Sequence, residues 1–238
     1  MSDSIPHRLS SLTIVLPFYN DAGTVNQMIS DAYTIGARVT NQLTVIAIHG
    51  GASTDDTYTQ ILRAQSIHPD LQILDESRTD AGYAVIAAGL KLARTEWVFY
   101  TDGDAQYHLD DLTKLVQTQM QTGALVINGY KLRRHDLPHR IYLGALYALL
   151  VKYLLRLPIR DPHCDFRLIH TLLLTSWTPR AKGAAFIQDL IIHLKQQTPL
   201  WAEVGVHHYS RSYGRSNYSV FQLMCETIRG ILQFCTYR

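Results

Sequence analysis

The sequence predicts an α/β protein in which a mostly parallel central sheet is covered by helices on both faces. Short runs rich in β-branched and aromatic residues alternate with stretches of helical length up to about residue 127, as in parallel sheets with helical crossovers. The strongest strand pattern, Trp97 to Tyr100, is apolar throughout, as expected for a strand that is buried on both faces. Amphipathic helices are expected after the sheet, towards the C-terminus.

Each of the first four predicted strands leads into a predicted helix. The first strand ends at Pro17, and the segment from Ser53 to Asp56 after the second strand suits a helix N-terminus. The predicted strands are residues 12–17, 43–48, 71–74, 97–100 and 124–127. The predicted helices are residues 22–35, 81–93 and 108–122, together with a helix that follows Asp56 and ends near residue 66. No linker composition and no repeat interrupts the chain, so we expect one domain over residues 1–217 and an amphipathic helix over residues 218–238.

The strand that begins at Trp97 ends in Asp102, Gly103 and Asp104, and Gln106 follows closely. In an open α/β sheet, ligands bind beyond the carboxyl ends of the strands. Two carboxylates and an amide oxygen suit a hard divalent cation that also holds phosphates. The alternative is an ordinary turn after a strand, for which Asp-Gly is among the commonest signals. These residues alone leave both interpretations open.

Composition and charge narrow the class of protein. The chain has 238 residues, of which 47% are hydrophobic and 18% charged. Its three cysteines lack the spacing of a metal site or disulfide framework, and residues 1–11 contain no apolar signal segment, so we expect a reducing, cytosolic environment. Residues 1–130 hold 7 Lys and Arg against 14 Asp and Glu, whereas residues 131–238 hold 15 against 6. An acidic metal-binding half and a basic half that meets an anion or a membrane would produce this polarity, as would scattered solvated charges.

The basic half contains the most apolar segment of the chain, Ile141 to Val151, which is too short to span a bilayer. On a helix over residues 139–157, Arg140, Lys152 and Arg156 share one face beside a broad leucine and tyrosine surface. This pattern is typical of an interfacial helix that lies on a membrane. A core helix whose basic side chains extend to water gives the same pattern, so both interpretations stay open.

Five short motifs follow one another along nearly the whole chain. They are Ile14 to Asn20 at the opening strand, Thr101 to Tyr107 at the acidic turn, Asn128 to Arg134 followed by His139 and Arg140, Arg160 to Arg167, and His208 to Tyr218. In this order they resemble the inverting family 2 glycosyltransferases, and among these the polyprenyl-phosphate glycosyltransferases of the dolichyl-phosphate mannosyl synthase type. The resemblance implies a GT-A fold, which is the nucleotide-diphospho-sugar transferase fold.

The resemblance also implies the chemistry and the residues of the site. A sugar would pass from a UDP- or GDP-linked donor to an undecaprenyl- or dolichyl-type phosphate, with Mg²⁺ or Mn²⁺ as cofactor. By position, the donor-binding residues are Pro17, Tyr19, Asn20, Asp21, Gly50, Arg78, Gly82 and Asp102; the metal ligands are Asp102, Asp104 and Gln106; the acceptor-phosphate residues are Arg133, Arg140, Arg211 and Ser216; and the catalytic residues are Asp102, Asp104 and Arg211. Because a phosphate monoester is already an anion near neutral pH, no general base is obligatory.

The sequence departs from the family after the second strand. Where the family carries an acidic pair, this chain has Gly50 and Gly51. The departure puts the identity of the donor in doubt. Weak donor binding, contacts from backbone groups and a bulkier nucleobase are all compatible with these glycines.

Three hypotheses of function follow from the sequence. The first is transfer to a polyprenyl phosphate by a peripheral, monotopic enzyme on the cytosolic face of a membrane, with a homo-oligomer or a membrane helper subunit as further partner. The second is transfer to a saccharide hydroxyl, for which Asp189 is the candidate base by resemblance. The third is a glycosyltransferase-like binding or scaffold protein with weakened donor binding. A metal-ligand role for His208 is a weaker hypothesis.

Two other classes of protein are excluded or not expected. A dinucleotide-binding domain should have its glycine fingerprint after the first strand, where this chain has Pro17 to Asn20. Nucleic-acid binding is not expected, because the basic residues lie beside leucine and tyrosine on a predicted helix and the other half of the chain is acidic.

Overall fold

A seven-stranded sheet forms the centre of the described part of the chain, and six of its strands run in the same direction. The computed structural model describes residues 8–78, 83–132, 153, 159–180, 185–211 and 213–214. The strands are β1 (Leu9–Phe18), β2 (Thr40–Gly50), β3 (Gln72–Glu76), β4 (Trp97–Thr101), β5 (Val126–Lys131), β6 (Phe166–His170) and β7 (Trp201–Val206). The helices are α1 (Val25–Val39), α2 (Thr57–Ile67), α3 (Tyr83–Leu92), α4 (Leu112–Thr122) and α5 (Ala185–Gln197), with 3₁₀ turns at Leu109–Asp111 and Thr171–Leu174.

The strands are ordered β3, β2, β1, β4, β6, β5, β7 across the sheet. β1 pairs with both β2 and β4, so that Val15 is paired with Ile46 on one side and with Tyr100 on the other. β6 runs antiparallel to both of its neighbours, β4 and β5. The amino end of β6 therefore lies at the same edge of the sheet as the carboxyl ends of the six other strands. We call this the carboxyl edge.

Alternate side chains of β1 enter two hydrophobic cores, one on each face of the sheet. Leu12, Ile14 and Leu16 pack with residues of α1 and α4 on one face, whereas Val15 packs with residues of α3 and α5 on the other. All four side chains are fully buried. Burial on both faces explains why the strand has a nearly continuous apolar sequence instead of an alternating one.

The predicted fold class is confirmed: strands and helices alternate from β1 to β5, and the sheet is mostly parallel with helices on both faces. Three elements were not predicted from the sequence, namely β6, α5 and β7. β6 is short and carries a charged residue, Arg167, at its second position, and most residues of the edge strand β7 are only half-buried. Both features weaken the strand pattern.

The two amphipathic helices predicted at residues 139–157 and 218–238 lie outside the described residues, apart from the exposed Tyr153. The domain boundary at residue 217 lies outside them as well and stays a prediction. In the part of the chain that the structure describes, no helix combines the length and the apolar character needed to cross a membrane.

Helix α3 approaches the sheet closely at Gly89. A Cβ atom there would lie 2.5 Å from Val15 Cγ1 and 2.6 Å from Ile48 Cδ1, and both side chains are fully buried. Gly89→Ala should therefore destabilise the protein by about 2 kcal/mol through overpacking, despite the higher helix propensity of alanine. Thermal unfolding should show a midpoint lowered by about 4–8 °C. A midpoint equal to that of the wild type would contradict the close packing of α3 on β1 and β2.

Candidate active site

β4 ends at the carboxyl edge in the acidic turn formed by Asp102, Gly103 and Asp104. The Gly103 N–H donates to the Pro17 carbonyl oxygen (3.1 Å), and a Cβ atom at Gly103 would lie only 2.4 Å from that oxygen. The close approach of the turn to β1 therefore requires glycine between the two acids. Asp104 is 4% exposed, and its Oδ1 atom accepts from the Gln106 N–H (3.0 Å).

A third carboxylate, Asp165, lies near this turn, although it was not selected from the sequence. Thr101, the last residue of β4, is paired with Phe166, the first residue of β6. The residue before β6 is therefore a neighbour of the residue after β4. Only the antiparallel direction of β6 reveals this proximity, since the motif from Arg160 to Arg167 contains Asp165 but does not single it out.

Burial and mutual repulsion perturb these acids strongly. Burial raises the pKa of Asp102 well above its ordinary value, and the charges of Asp165 and Asp104 raise it further. Burial also raises the pKa of Asp165 to about 6, although the positive charges of Arg167 and Lys131 lower it. Such a concentration of buried carboxylates is typical of functional sites, because it favours the binding of a cation or a proton.

The loop after β1 is tied to the loop after β2 by side-chain hydrogen bonds. Asn20 has a left-handed backbone conformation (φ 54°), and its Oδ1 atom accepts from the Thr54 N–H (2.7 Å). The Asp21 N–H donates to Thr57 Oγ1 (2.8 Å), which in turn donates to Asp55 Oδ1 (2.5 Å). Two of the predicted donor-binding residues, Asn20 and Asp21, are thereby fixed at the carboxyl edge.

Arg211 connects the acidic turn with the loop after β1. Its Nη2 atom donates to Asp104 Oδ2 at 2.5 Å, and its Nη1 atom lies 3.8 Å from Asp21 Oδ1. Burial raises the pKa of Asp21 to about 6; the Tyr19 N–H and Arg211 oppose the rise, whereas the charge of Asp104 adds to it. The structure thus brings together three residues predicted for metal, donor and acceptor binding.

Residues 207–211 and 213–214, which we call the clasp, attach to the same edge of the sheet. The Tyr209 N–H donates to the Gln106 carbonyl oxygen (2.7 Å), and Gln106 Nε2 donates to the Tyr209 carbonyl oxygen (3.0 Å). The Tyr213 ring lies against Gly23, where a Cβ atom would be 2.5 Å from Cδ2 of the ring. The clasp therefore holds Arg211 between two anchored points.

Two predicted metal ligands have other contacts here. The side-chain nitrogen of Gln106 is engaged by the clasp, so the side-chain oxygen is the atom that remains for a metal. His208 forms an isolated β-bridge with Tyr107, and the two rings meet edge to face with centroids 4.9 Å apart. Metal binding by Gln106 and by His208 stays a prediction.

The glycines after β2 are explained partly by space and partly by backbone conformation. A Cβ atom at Gly50 would lie 3.3 Å from Val85 Cγ2, so the packing of α3 leaves little room for an acidic side chain. Gly51 has a left-handed conformation (φ 63°), which favours glycine. Arg78 is exposed just after β3. Four predicted site residues lie outside the described part of the chain, namely Gly82, Arg133, Arg140 and Ser216.

Asp189, the candidate base of the second hypothesis, is fully buried in α5. Its Oδ2 atom accepts from the Arg180 N–H (2.8 Å), and its Oδ1 atom accepts from Arg180 Nε (3.2 Å). Both carboxylate oxygens are therefore used to hold the segment that precedes α5. This arrangement suits a structural carboxylate better than a base that must reach an acceptor hydroxyl.

The three carboxylates Asp102, Asp104 and Asp165 form what we call the acidic group. Their oxygens can bind a divalent cation but do not make a complete set of ligands. Among the described residues, no three His, Cys, Asp or Glu side chains converge in a way that could hold a metal ion. The Oδ1 atoms of Asp21 and Asp165 are buried and accept no hydrogen bond from any part of the chain that the structure describes. Mg²⁺ is commonly held by one or two carboxylates and completed by substrate phosphates and water. The residues fit such a site if a bound diphosphate supplies the remaining oxygens.

Comparison with solved structures shows that the chain has the GT-A glycosyltransferase fold. Glucosyl-3-phosphoglycerate synthase from Mycobacterium tuberculosis, in complex with Mn²⁺, UDP and phosphoglyceric acid, superposes with a TM-score of 0.70 at 18% identity, over 95% of this chain and 78% of that chain. The same enzyme with Mg²⁺ and UDP gives a TM-score of 0.69 at 17% identity, over 95% of this chain and 80% of that one.

Sequence comparison identifies the family. The model of Glycosyl transferase family 2 matches residues 13–172, which is more than half of the chain, and the chain belongs to this family. It is 22% identical to the undecaprenyl-phosphate 4-deoxy-4-formamido-L-arabinose transferase of Yersinia pestis (strain Pestoides F) over 223 residues, 93% of this chain and 66% of the relative. With the protein of that name from Pseudomonas fluorescens it is 23% identical over 221 residues, 92% of this chain and 63% of the relative. The chain thus spans slightly less than two thirds of the length of these relatives.

The raised pKa of Asp21 predicts a pH-dependent effect of Asp21→Asn. Because the folded-state pKa of about 6 lies above the ordinary 3.8, protonated Asp21 stabilises the fold at low pH, and this stability is lost as the pH rises through 6. At pH 7.5, Asp21→Asn should therefore increase the free energy of unfolding, by at most about 3 kcal/mol, and raise the thermal midpoint. At pH 4 it should have little effect on either. Equal shifts at both pH values would contradict the assignment.

Proposed function

We propose that this chain is a metal-dependent inverting glycosyltransferase that moves a sugar from a UDP- or GDP-linked donor to a polyprenyl phosphate of the undecaprenyl or dolichyl type. The observation that carries the proposal is the contact of Arg211 with both Asp104 and Asp21. This contact joins the acidic turn, the loop after β1 and the clasp at one edge of the sheet. At this edge we place the donor diphosphate, the cation and the acceptor phosphate.

The donor diphosphate would lie between the acidic turn and the loop after β1, where we assign Pro17, Tyr19, Asn20 and Asp21 to donor binding. Asp102, Asp104 and the side-chain oxygen of Gln106 would hold Mg²⁺ or Mn²⁺ there. When bound, the cation acts as a Lewis acid that neutralises the charge growing on the departing diphosphate. A bound cation would relieve the mutual repulsion of these acids, and this supports cation binding here.

An acceptor phosphate needs positioning more than deprotonation. A phosphate oxygen attacks the anomeric carbon, the bond from that carbon to the nucleoside diphosphate breaks, and the configuration inverts. Because the phosphate monoester is already anionic near neutral pH, the protein need not remove a proton. Forked donors from arginine suit this task, and we assign it to Arg211, together with Arg133, Arg140 and Ser216 beyond the described residues.

The names of the relatives support a lipid acceptor, since both are called undecaprenyl-phosphate transferases. We place the protein on the cytosolic face of a membrane, attached through the basic apolar segment 139–157. A second copy of the chain or a membrane helper subunit would complete the attachment. The paired Asp189 makes a saccharide hydroxyl the weaker choice of acceptor, because both of its carboxylate oxygens already accept hydrogen bonds from Arg180.

The proposal predicts metal-dependent sugar transfer that depends on Asp104. Radiolabelled UDP- and GDP-sugars would be incubated with detergent-solubilised undecaprenyl phosphate and Mn²⁺ or EDTA, and label in the organic phase measured. Wild-type protein should transfer label with one donor class in Mn²⁺ and none in EDTA, and Asp104→Ala should lose about 10²-fold or more of the rate. Asp110→Ala is the matched control, because Asp110 is half exposed and pairs with Arg38 on the surface.

The other outcomes separate the remaining hypotheses. Label on an added saccharide, but not on lipid, would refute the lipid-phosphate acceptor and direct attention to Asp189. Absence of label together with absence of donor binding would favour a binding or scaffold protein. Full activity of Asp104→Ala would contradict the role of the acidic turn.

A further inference from the structure

Arg167 is the largest fully buried side chain of the described residues, with a relative exposure of 0%. It lies in the middle of the sheet, on the antiparallel strand β6. Its Nε atom donates to Asn128 Oδ1 on β5 (2.6 Å), and its Nη1 atom donates to the Tyr100 hydroxyl on β4. The fold thus buries a guanidinium where an aliphatic side chain would cost less free energy.

The remaining nitrogen of Arg167 reaches the segment that carries Asp165. Its Nη2 atom lies 3.5 Å from the carbonyl oxygens of both Pro162 and Cys164. Asn128, the partner of Arg167, also donates through Nδ2 to the Asp161 carbonyl oxygen (3.2 Å). Arg167 thus joins three neighbouring strands to the backbone just before Asp165.

The positive charge of Arg167 also acts on Asp165. Asp165 is 5% exposed, one of its oxygens has no hydrogen-bond partner among the described residues, and its charge acts on Asp102. Arg167 is the strongest of the positive groups that favour the ionised form of Asp165, followed by Lys131. The backbone contacts of Arg167 and its charge therefore both act on the segment that carries Asp165.

We propose that Arg167 is a positioning residue of the acidic group: its guanidinium fixes the backbone before Asp165 so that the Asp165 carboxylate lies beside Asp102, and its charge balances these buried carboxylates. The link to metal and donor binding rests on the proposed function. The electrostatic coupling of Arg167 to Asp165 does not, because it concerns the folded chain without any ligand.

A double-mutant cycle tests the electrostatic coupling of Arg167 to Asp165. Thermal midpoints would be measured at pH 7.5 for wild type, R167M, D165N and R167M/D165N. Removing the guanidinium leaves buried carboxylates without their counter-charge, so R167M should lower the midpoint by about 10 °C. D165N should then raise the midpoint clearly more in the R167M background than in the wild type. Equal effects of D165N in both backgrounds would overturn the proposal.

Tyr100→Phe is the control for the loss of a hydrogen bond without loss of charge. It removes one partner of Arg167 and leaves the guanidinium in place. The effect of D165N should therefore be the same with Tyr100 and with Phe at this position. If Tyr100→Phe couples to D165N as strongly as R167M does, the coupling reports general packing, and the role of the charge is refuted. If R167M fails to fold, the same cycle is measured with R167Q, which also lacks the charge but keeps a polar group.

A binding measurement separates positioning from a purely structural role. The affinity for Mn²⁺ in the presence of UDP or GDP would be measured by the electron paramagnetic resonance signal of free Mn²⁺, well below the midpoint of each variant. R167K keeps the charge but lacks the Nη2 atom that lies near both carbonyl groups, so it should bind Mn²⁺ about tenfold more weakly while folding normally. Wild-type affinity in R167K would refute the positioning role. Absence of Mn²⁺ binding by the wild type would contradict the proposed function. The double-mutant cycle would still test the coupling of Arg167 to Asp165.

Discussion

The concentration of negative charge at the carboxyl edge is the constraint on which the rest of the structure depends. Asp102, Asp104 and Asp165 repel one another in a buried place, and such an arrangement is unstable unless positive groups are built around it. One of these, Arg211, comes from the clasp and remains a quarter exposed. The other, Arg167, comes from within the sheet and is fully buried. The first can respond to ligands, whereas the second belongs to the framework.

Close packing around the acids explains residues that otherwise look like departures from a pattern. Gly103 is required because β1 approaches the acidic turn, and Gly50 lies against Val85 of α3. Asp55 is engaged with Thr57 and thereby supports the loop that holds Asp21. A nucleotide bound as we propose would therefore be recognised by groups other than an acidic pair after β2.

The parts of the fold that are local in sequence could be predicted, and those that depend on distant pairing could not. The strands β1 to β4 are joined by helical crossovers, and their burial on both faces gives apolar runs. β6 escaped prediction because Arg167 interrupts its apolar pattern, and its position between β4 and β5 is set by pairing alone. The same holds for the site. Asp102 and Asp104 follow a visible strand, whereas the contact of Arg211 with Asp104 spans 107 residues, and Asp165 reaches Asp102 only through the reversed strand.

The reversal of β6 also determines where the longest insertion of the sheet is attached. β5 ends at Lys131 and β6 begins at Phe166, and both of these ends lie at the carboxyl edge because the two strands are antiparallel neighbours. The chain between them leaves the sheet and returns to it beside the acids. Because both attachment points are fixed by neighbouring strands, an insertion at this position can change in length without moving those strands. Under the proposed function, the preference for an acceptor could therefore change through this segment while the acidic turn stays in place.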